Sequence, residues 1–217
     1  SPATDGEVAT WHKLAAMRTG ANAAFSFAAG RMALFAILKA LEIEPGDEVI
    51  IPAFTCVAVP NAIHFAGGTP IYADVDPDTF NVNVEDVSRK ITPRTRVVIA
   101  QHTFGNPADM KGLKEITETS PTLALVEDAC LALGATYGGR PIGSLGDAAF
   151  FSTDATKMVC TDVGGVAVVN DDALARRLGE IWAQTPEMPS AVEGRPTEAC
   201  IGPIVYAETD AVARDCA

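Results

Sequence analysis

The residue with the clearest chemical potential in this sequence is Lys157, which lies between two short apolar runs. Ala148 to Phe151 and Gly165 to Val169 each have the length and composition of a buried strand. A lysine between two such strands either lies in solvent at the rim of a sheet or works inside a site. In a site, a desolvated amine of lowered pKa can form a Schiff base with a carbonyl group. The residue type alone leaves both interpretations open.

Four other residues could bind the same ligand as Lys157. Ser152 lies five residues before the lysine, with small polar residues between them. This stretch is either part of a binding site or an ordinary surface turn, because surface turns have a similar composition. Asp128 ends an apolar run, where it either holds a protonated ring nitrogen or caps the following turn. Gly30 and Arg31 open a strongly helical stretch, which is either a phosphate site or an ordinary helix start with an exposed arginine. Together these groups match the requirements of a pyridoxal phosphate site.

The elements that must position these residues alternate between strands and helices from Arg31 to Trp182. Periodicity predicts helices at Trp11 to Arg18, Arg31 to Ile43, Val57 to Phe65, Asn83 to Lys90, Asp109 to Thr119 and Asp171 to Trp182. It predicts further strands at Glu48 to Pro52, Thr69 to Val75, Arg96 to Gln101 and Thr122 to Glu127, and a hairpin of Ala135 to Tyr137 with Arg140 to Ile142. The predicted fold is therefore a three-layer α/β/α arrangement around a mostly parallel sheet.

Ligands of such sheets bind beyond the carboxyl ends of the strands. Three polar groups are predicted to fall at those ends: Pro52 to Cys56, His102 to Asn106 and Asp128 to Leu131. Because these groups are predicted to lie together, they favour a binding site over polar residues that are scattered across the surface.

Composition narrows the classes of function. The 217 residues carry a net charge of −12 and have a pI near 4.6, which argues against nucleic acid as the main partner. No apolar run approaches membrane-spanning length and no signal peptide is visible, so we expect a cytoplasmic protein without a membrane partner. The five cysteines are widely spaced without a Cys-x-x-Cys pair, and no two of the three histidines have metal-ligand spacing, so no metal site is predicted. No Walker A or G-x-G-x-x-G motif indicates a nucleotide fold.

Five long motifs occur in one order along the chain. They are PGDEVIIPAFTC (Pro45 to Cys56), AGGTPIYADVDPDTFNV (Ala66 to Val82), ITPRTRVVIAQHTFGNPADM (Ile91 to Met110), EDACLALGATYGGRPIGSLGDAAFFS (Glu127 to Ser152) and TKMVCTDVGGVAVVND (Thr156 to Asp171). In these motifs the sequence resembles the DegT-type sugar aminotransferases, which are fold-type I pyridoxal phosphate enzymes. The resemblance covers roughly Phe25 to Gln184 and implies the large domain of such an enzyme.

The resemblance implies a role for each candidate residue. Lys157 matches the lysine that binds the cofactor covalently, Asp128 the partner of its ring nitrogen, and Ser152 a phosphate contact. Gly30 and Arg31 match a phosphate-binding pair at a helix start, where Arg31 replaces the usual threonine. The family reaction transfers an amino group from an amino acid donor, usually glutamate, to a keto sugar, and its members work as homodimers.

Departures from the family pattern keep other functions open. Cys56 occupies the cofactor-stacking position where many members have an aromatic residue, and Leu131 replaces a Gln or His that contacts the cofactor. We expect residues 1–184 to form the cofactor-binding large domain and residues 185–217 to be a C-terminal remnant, with the usual small domain largely absent. The alternatives are a truncated non-catalytic homologue, a partner subunit of a pyridoxal phosphate enzyme, or another reaction of that cofactor such as dehydration.

Overall fold

Strands that are apolar on both faces form the centre of the molecule. The computed structural model describes residues 5–161 and 163–185. Its strands are β1 (Ala23–Phe27), β2 (Glu48–Pro52), β3 (Thr69–Ala73), β4 (Thr95–Gln101), β5 (Ala124–Asp128), β6 (Thr136–Tyr137), β7 (Arg140–Pro141), β8 (Ala148–Ser152) and β9 (Gly165–Val169). Its helices are α1 (Asp5–Thr19), α2 (Gly30–Ala40), α3 (Ala58–Ala66), α4 (Val84–Lys90), α5 (Met110–Thr117) and α6 (Asp172–Gln184). Among these, no helix is long and apolar enough to cross a bilayer.

Seven of the strands form one mixed sheet in the order β1-β9-β8-β5-β4-β2-β3. The four pairs from β8 to β3 are parallel, whereas β9 is antiparallel to both of its neighbours. Only β9 therefore runs against the common strand direction of this sheet. Strands β6 and β7 form a separate hairpin.

Side chains alternate between the two faces of the sheet along each strand, and this divides the apolar core into two layers. Val49 and Ile51 of β2 pack in the apolar cluster that contains residues of α2, α3 and α6, whereas Ile50 belongs to the cluster with residues of α1, α4 and α5. All three side chains are fully buried. Because successive side chains of a strand point to opposite faces, helices cover both sides of the sheet. The prediction of a three-layer, mostly parallel α/β fold is confirmed.

Each predicted helix and strand is present, with ends displaced by a few residues. The sequence interpretation missed β1, whose five residues include three that are small, and which forms its ladder with β9. The first helix is longer than predicted, beginning at Asp5. The proposed C-terminal remnant lies almost entirely outside the described residues, so the division at residue 184 stays a prediction.

Candidate active site

The carboxyl ends of β5 and β8 place two candidate side chains on neighbouring strands. Asp128 is the last residue of β5 and Ser152 is the last residue of β8, and these strands pair in parallel. Lys157 lies in the connection between β8 and β9, with a partly exposed side chain. Because the three residues follow adjacent strands of one sheet edge, the fold brings them into one region.

The start of α2 contacts the end of β8. A Cβ atom built on Gly30 would lie 3.0 Å from the Cβ of Ser152 and 3.4 Å from the Sγ of Cys130. The missing side chain at Gly30 therefore lets the helix start approach both residues. The N-cap residue Ala29 makes no side-chain capping hydrogen bond. Arg31, in the first turn, is exposed, so the fold joins Gly30 and Ser152 and leaves the Arg31 side chain at the surface beside them.

A second glycine fixes where α2 begins. A Cβ atom on Gly165, the first residue of β9, would lie 2.3 Å from both the carbonyl carbon and oxygen of Ala29. Real Cβ atoms do not approach other atoms so closely, so only glycine permits this contact between β9 and the residue before α2. The glycine pair after Lys157 therefore helps to position the start of α2 against β9.

The Asp128 carboxyl group is almost fully buried, with 7% of the residue exposed. Its Oδ1 accepts a hydrogen bond of 3.1 Å from the backbone N–H of Cys130. Burial raises the pKa of Asp128, and this effect outweighs the opposing hydrogen bonds from Cys130 and the charge of Lys157. A buried carboxyl with a raised pKa is suited to bind a cationic group.

The loop that carries Lys157 is organised by Asp154. The Asp154 Oδ1 accepts hydrogen bonds from the N–H and hydroxyl of Thr156, at 2.8 and 2.7 Å, and its Oδ2 accepts one of 3.0 Å from the Ser152 hydroxyl. The Lys157 N–H donates to the Asp154 carbonyl at 3.0 Å. Within residues 5–161 and 163–185, the Lys157 ammonium has no carboxylate within salt-bridge distance. This leaves the amine available to a ligand.

A buried histidine and glutamate support the end of β5, and the sequence interpretation assigned neither of them a role. The Glu127 carboxylate lies 3.1 Å from the Nε2 of His102, and both side chains are fully inaccessible to solvent. The Ala108 N–H donates to the Nδ1 of His102 at 3.0 Å. Since Nδ1 accepts this hydrogen bond, the proton lies on Nε2 and the imidazole is neutral. The His102 N–H also donates to the Asp128 carbonyl at 3.0 Å, so this pair holds the backbone that presents Asp128.

Glu127 is also the acceptor for a turn that precedes β8. Its carboxylate accepts backbone hydrogen bonds from Gly143 at 3.0 Å and from Leu145 and Gly146 at 2.8 Å. Burial raises the pKa of Glu127, but the bonds from His102 and the backbone outweigh it, so the net shift is downward. A Glu-Asp pair at the end of a buried strand was the sequence signal for this arrangement, because a fully buried carboxylate requires several donors.

Cys56 lies apart from the Asp128–Lys157 group. It follows β2, two places along the sheet from β5, and its side chain is exposed. Close to it in the chain, Phe54 belongs to an exposed cluster with Phe80 and Phe104, whose ring centroids are 5.5 to 6.1 Å apart. The stacking position assigned to Cys56 therefore stays a prediction. In the described part of the chain, no three His, Cys, Asp or Glu side chains are grouped to hold a metal ion.

Comparison with known proteins identifies the family. Over 149 residues the chain is 42% identical to GDP-perosamine synthase from Caulobacter vibrioides, covering 69% of this chain and 40% of that protein. Over 152 residues it is 40% identical to UDP-N-acetyl-3-dehydro-alpha-D-glucosamine 3-aminotransferase from Acidithiobacillus ferrooxidans, covering 70% and 41%. The chain thus spans about two fifths of the length of these curated relatives.

A solved structure extends the comparison to the fold. The crystal structure of NtdA from Bacillus subtilis with the bound cofactor PMP superposes with a TM-score of 0.74 at 28% identity, covering 79% of this chain and 38% of that one. The family model of the DegT/DnrJ/EryC1/StrS aminotransferases matches residues 6–190. With the sheet, the relatives and this match in agreement, the chain belongs to the DegT/DnrJ/EryC1/StrS aminotransferase family.

Proposed function

We propose that this chain forms the cofactor-binding part of a pyridoxal phosphate-dependent aminotransferase that acts on a keto sugar or a sugar-like substrate. The observation that carries the proposal is the placement of three candidate residues at one sheet edge: Asp128 ends β5, Ser152 ends the neighbouring parallel strand β8, and Lys157 lies in the loop that follows. Of the relatives named above, one is a synthase of GDP-perosamine and the other a 3-aminotransferase of a UDP-linked dehydro sugar, which supports a substrate of this class. The amino donor in the proposal is an amino acid, with glutamate the first to test.

The residues present fit the charges of pyridoxal phosphate. Asp128 is a buried carboxyl whose pKa is raised by burial, and a protonated ring nitrogen would supply the cation that stabilises its charged form. The backbone at the start of α2 and the Ser152 hydroxyl are in contact through Gly30, which gives the phosphate donors of two kinds. The Arg31 side chain adds a positive charge in the same helical turn.

The proposed chemistry divides between two residues of this chain. When bound, pyridoxal phosphate supplies an electron-withdrawing ring that stabilises negative charge on the substrate carbon. Lys157 would hold the cofactor through Nζ and, as a neutral amine, would move a proton between carbon atoms. Asp128 would keep a proton on the ring nitrogen. Removing Asp128 is therefore expected to slow proton transfer far more than it weakens cofactor binding.

We also propose that two copies of the chain associate. The exposed phenylalanines Phe54, Phe80 and Phe104 provide an apolar surface beside the strand ends, of the kind that protein interfaces cover. Measurement of the mass in solution tests this point. A non-catalytic homologue or partner subunit is the second candidate function, because Cys56 lacks an aromatic ring and Leu131 cannot donate or accept a side-chain hydrogen bond.

The test is an absorbance spectrum of the purified chain with pyridoxal phosphate, followed by borohydride reduction and mass mapping. We expect a visible band and a reduced adduct on Lys157, both lost in Lys157→Ala and retained in the exposed-lysine control Lys111→Ala. A band that shifts on addition of glutamate would support amino transfer and count against dehydration. A colourless wild-type chain without an adduct would refute the proposal and favour the non-catalytic candidate.

A further inference from the structure

An acidic side chain lies beside the hydroxyl group to which the proposed function gives a phosphate contact. The Ser152 hydroxyl donates its proton to the Oδ2 of Asp154 at 3.0 Å. The start of α2 lies against the same serine, since a Cβ on Gly30 would be 3.0 Å from the Ser152 Cβ. The region that would receive a phosphate therefore already has a carboxylate as its neighbour.

Asp154 is charged at neutral pH. Its partial burial acts to raise the pKa, but hydrogen bonds from Thr156 and Ser152 and the charge of Lys157 outweigh burial, so the pKa is lowered. The two donors of Thr156 both bind Oδ1. Oδ2, in contrast, receives the Ser152 hydroxyl. Oδ1 therefore holds the part of the turn nearer to Lys157, whereas Oδ2 binds the hydroxyl at the end of β8.

A serine hydroxyl carries one proton and cannot donate it to two acceptors. When Ser152 donates to Asp154, it presents only lone pairs to a phosphate, which is itself an acceptor. When Ser152 turns to a phosphate, Asp154 loses a donor and faces a like charge at short range. Both effects oppose phosphate binding, and both depend on the same oxygen of Asp154.

We propose that Asp154 tunes the affinity of this site for the phosphate-bearing cofactor by competing for the Ser152 proton and by opposing the phosphate charge. This inference rests on the proposed function, and it makes Asp154 a specificity-determining residue. We expect Asp154 to weaken the binding of the phosphate group and to leave the binding of the aldehyde unchanged. A residue that merely ordered the Lys157 loop would alter the binding of both groups together.

The experiment compares pyridoxal phosphate with pyridoxal, which has the same aldehyde without the phosphate. Equilibrium dissociation constants of both are measured by absorbance for wild type and Asp154→Asn. The asparagine oxygen retains the acceptor for Thr156, while its amide group can donate to the Ser152 oxygen and release the serine proton. We expect the ratio of the two dissociation constants to shift about three- to tenfold in favour of pyridoxal phosphate. Any change in the reactivity of Lys157 affects both aldehydes and cancels in this ratio.

The matched control is Asp76→Asn, which removes the same charge from an exposed turn. The Asp76 Oδ1 accepts hydrogen bonds from the N–H groups of Asp78 and Thr79 and from the Thr79 hydroxyl, far along the chain from the candidate site. We expect this variant to leave the ratio unchanged. An unchanged or reversed ratio in Asp154→Asn, with wild type still forming its adduct, overturns the role of Asp154 alone. If wild type binds neither aldehyde, the proposed function fails and this inference fails with it.

Discussion

Replacement of Glu127 by glutamine tests the support beneath the candidate site. In the native chain, Oε2 of Glu127 accepts from His102 and Gly143 and Oε1 accepts from Leu145 and Gly146. A glutamine in either orientation turns its NH₂ group toward two of these four donors. Each buried donor left without an acceptor costs about 1–3 kcal/mol, so Glu127→Gln is expected to lower the free energy of unfolding by about 2–6 kcal/mol.

A change of the His102 tautomer cannot relieve this loss. If Nε2 became the acceptor for the new amide, Nδ1 would carry the proton and face the Ala108 N–H. The Nδ1–H and the Ala108 N–H would then both lack an acceptor, and the Gly143 N–H would still face the new amide. At least two donors are therefore left unpaired with either tautomer.

The assay is urea unfolding at neutral pH and in acid, with Glu115→Gln as the control. Glu115 is exposed and pairs with Lys111 at 3.9 Å, so its loss should cost at most about 0.5 kcal/mol. The folded-state pKa of Glu127 is lowered, so its contribution is present above the unfolded value and disappears as the pH falls through the folded value. The difference between wild type and Glu127→Gln should therefore shrink below about pH 4.5. A neutral-pH difference under about 1 kcal/mol would refute the reasoning.

Two further predictions concern the framework around the site. Gly165→Ala places a Cβ 2.3 Å from the Ala29 backbone and is expected to cost about 3 kcal/mol or more in urea unfolding, whereas Gly179→Ala, whose Cβ would lie 3.4 Å from Phe25, should be neutral or stabilising by up to about 1 kcal/mol. A Gly165→Ala chain as stable as wild type would mean that β9 and α2 need not meet so closely. Burial lowers the pKa of His12, whose Nε2 accepts the Ser26 N–H at 2.9 Å, so the unfolded state binds more protons and stability should fall as the pH drops below about 6.5. His12→Gln should flatten that part of the pH profile, and an unchanged slope would contradict this account.

The residues of the site that sequence could predict are those whose signals are local. Lys157 lies between two short apolar runs, and Ser152 and Asp128 each end a run of strand-forming residues. The carboxyl ends of parallel strands meet at one edge of a sheet, so these residues are predicted to lie together. The parallel pairing of β5 and β8 agrees with this prediction. Gly30 was found for the same reason, because a glycine before a strong helix is visible in a few residues of sequence.

The features that sequence missed depend on residues far apart in the chain. Strand β1 is small and weakly patterned, and it exists because β9 offers it a ladder of partners. The role of Glu127 requires a histidine from the preceding strand end and a turn that follows it. No short window contains both, so a buried carboxylate alone could show only that donors must exist somewhere.

The environments of the two carboxylates near Lys157 account for how they divide their proposed roles. Asp128 is nearly buried with a raised pKa, whereas Asp154 is more open, accepts three hydrogen bonds and has a lowered pKa. Asp128 therefore gains most from a cationic partner, and Asp154 already has its donors. A ligand with a positive ring nitrogen and a negative phosphate would meet attraction at the first carboxylate and competition at the second. The same chain would then bind the ring tightly while keeping a limited affinity for the phosphate.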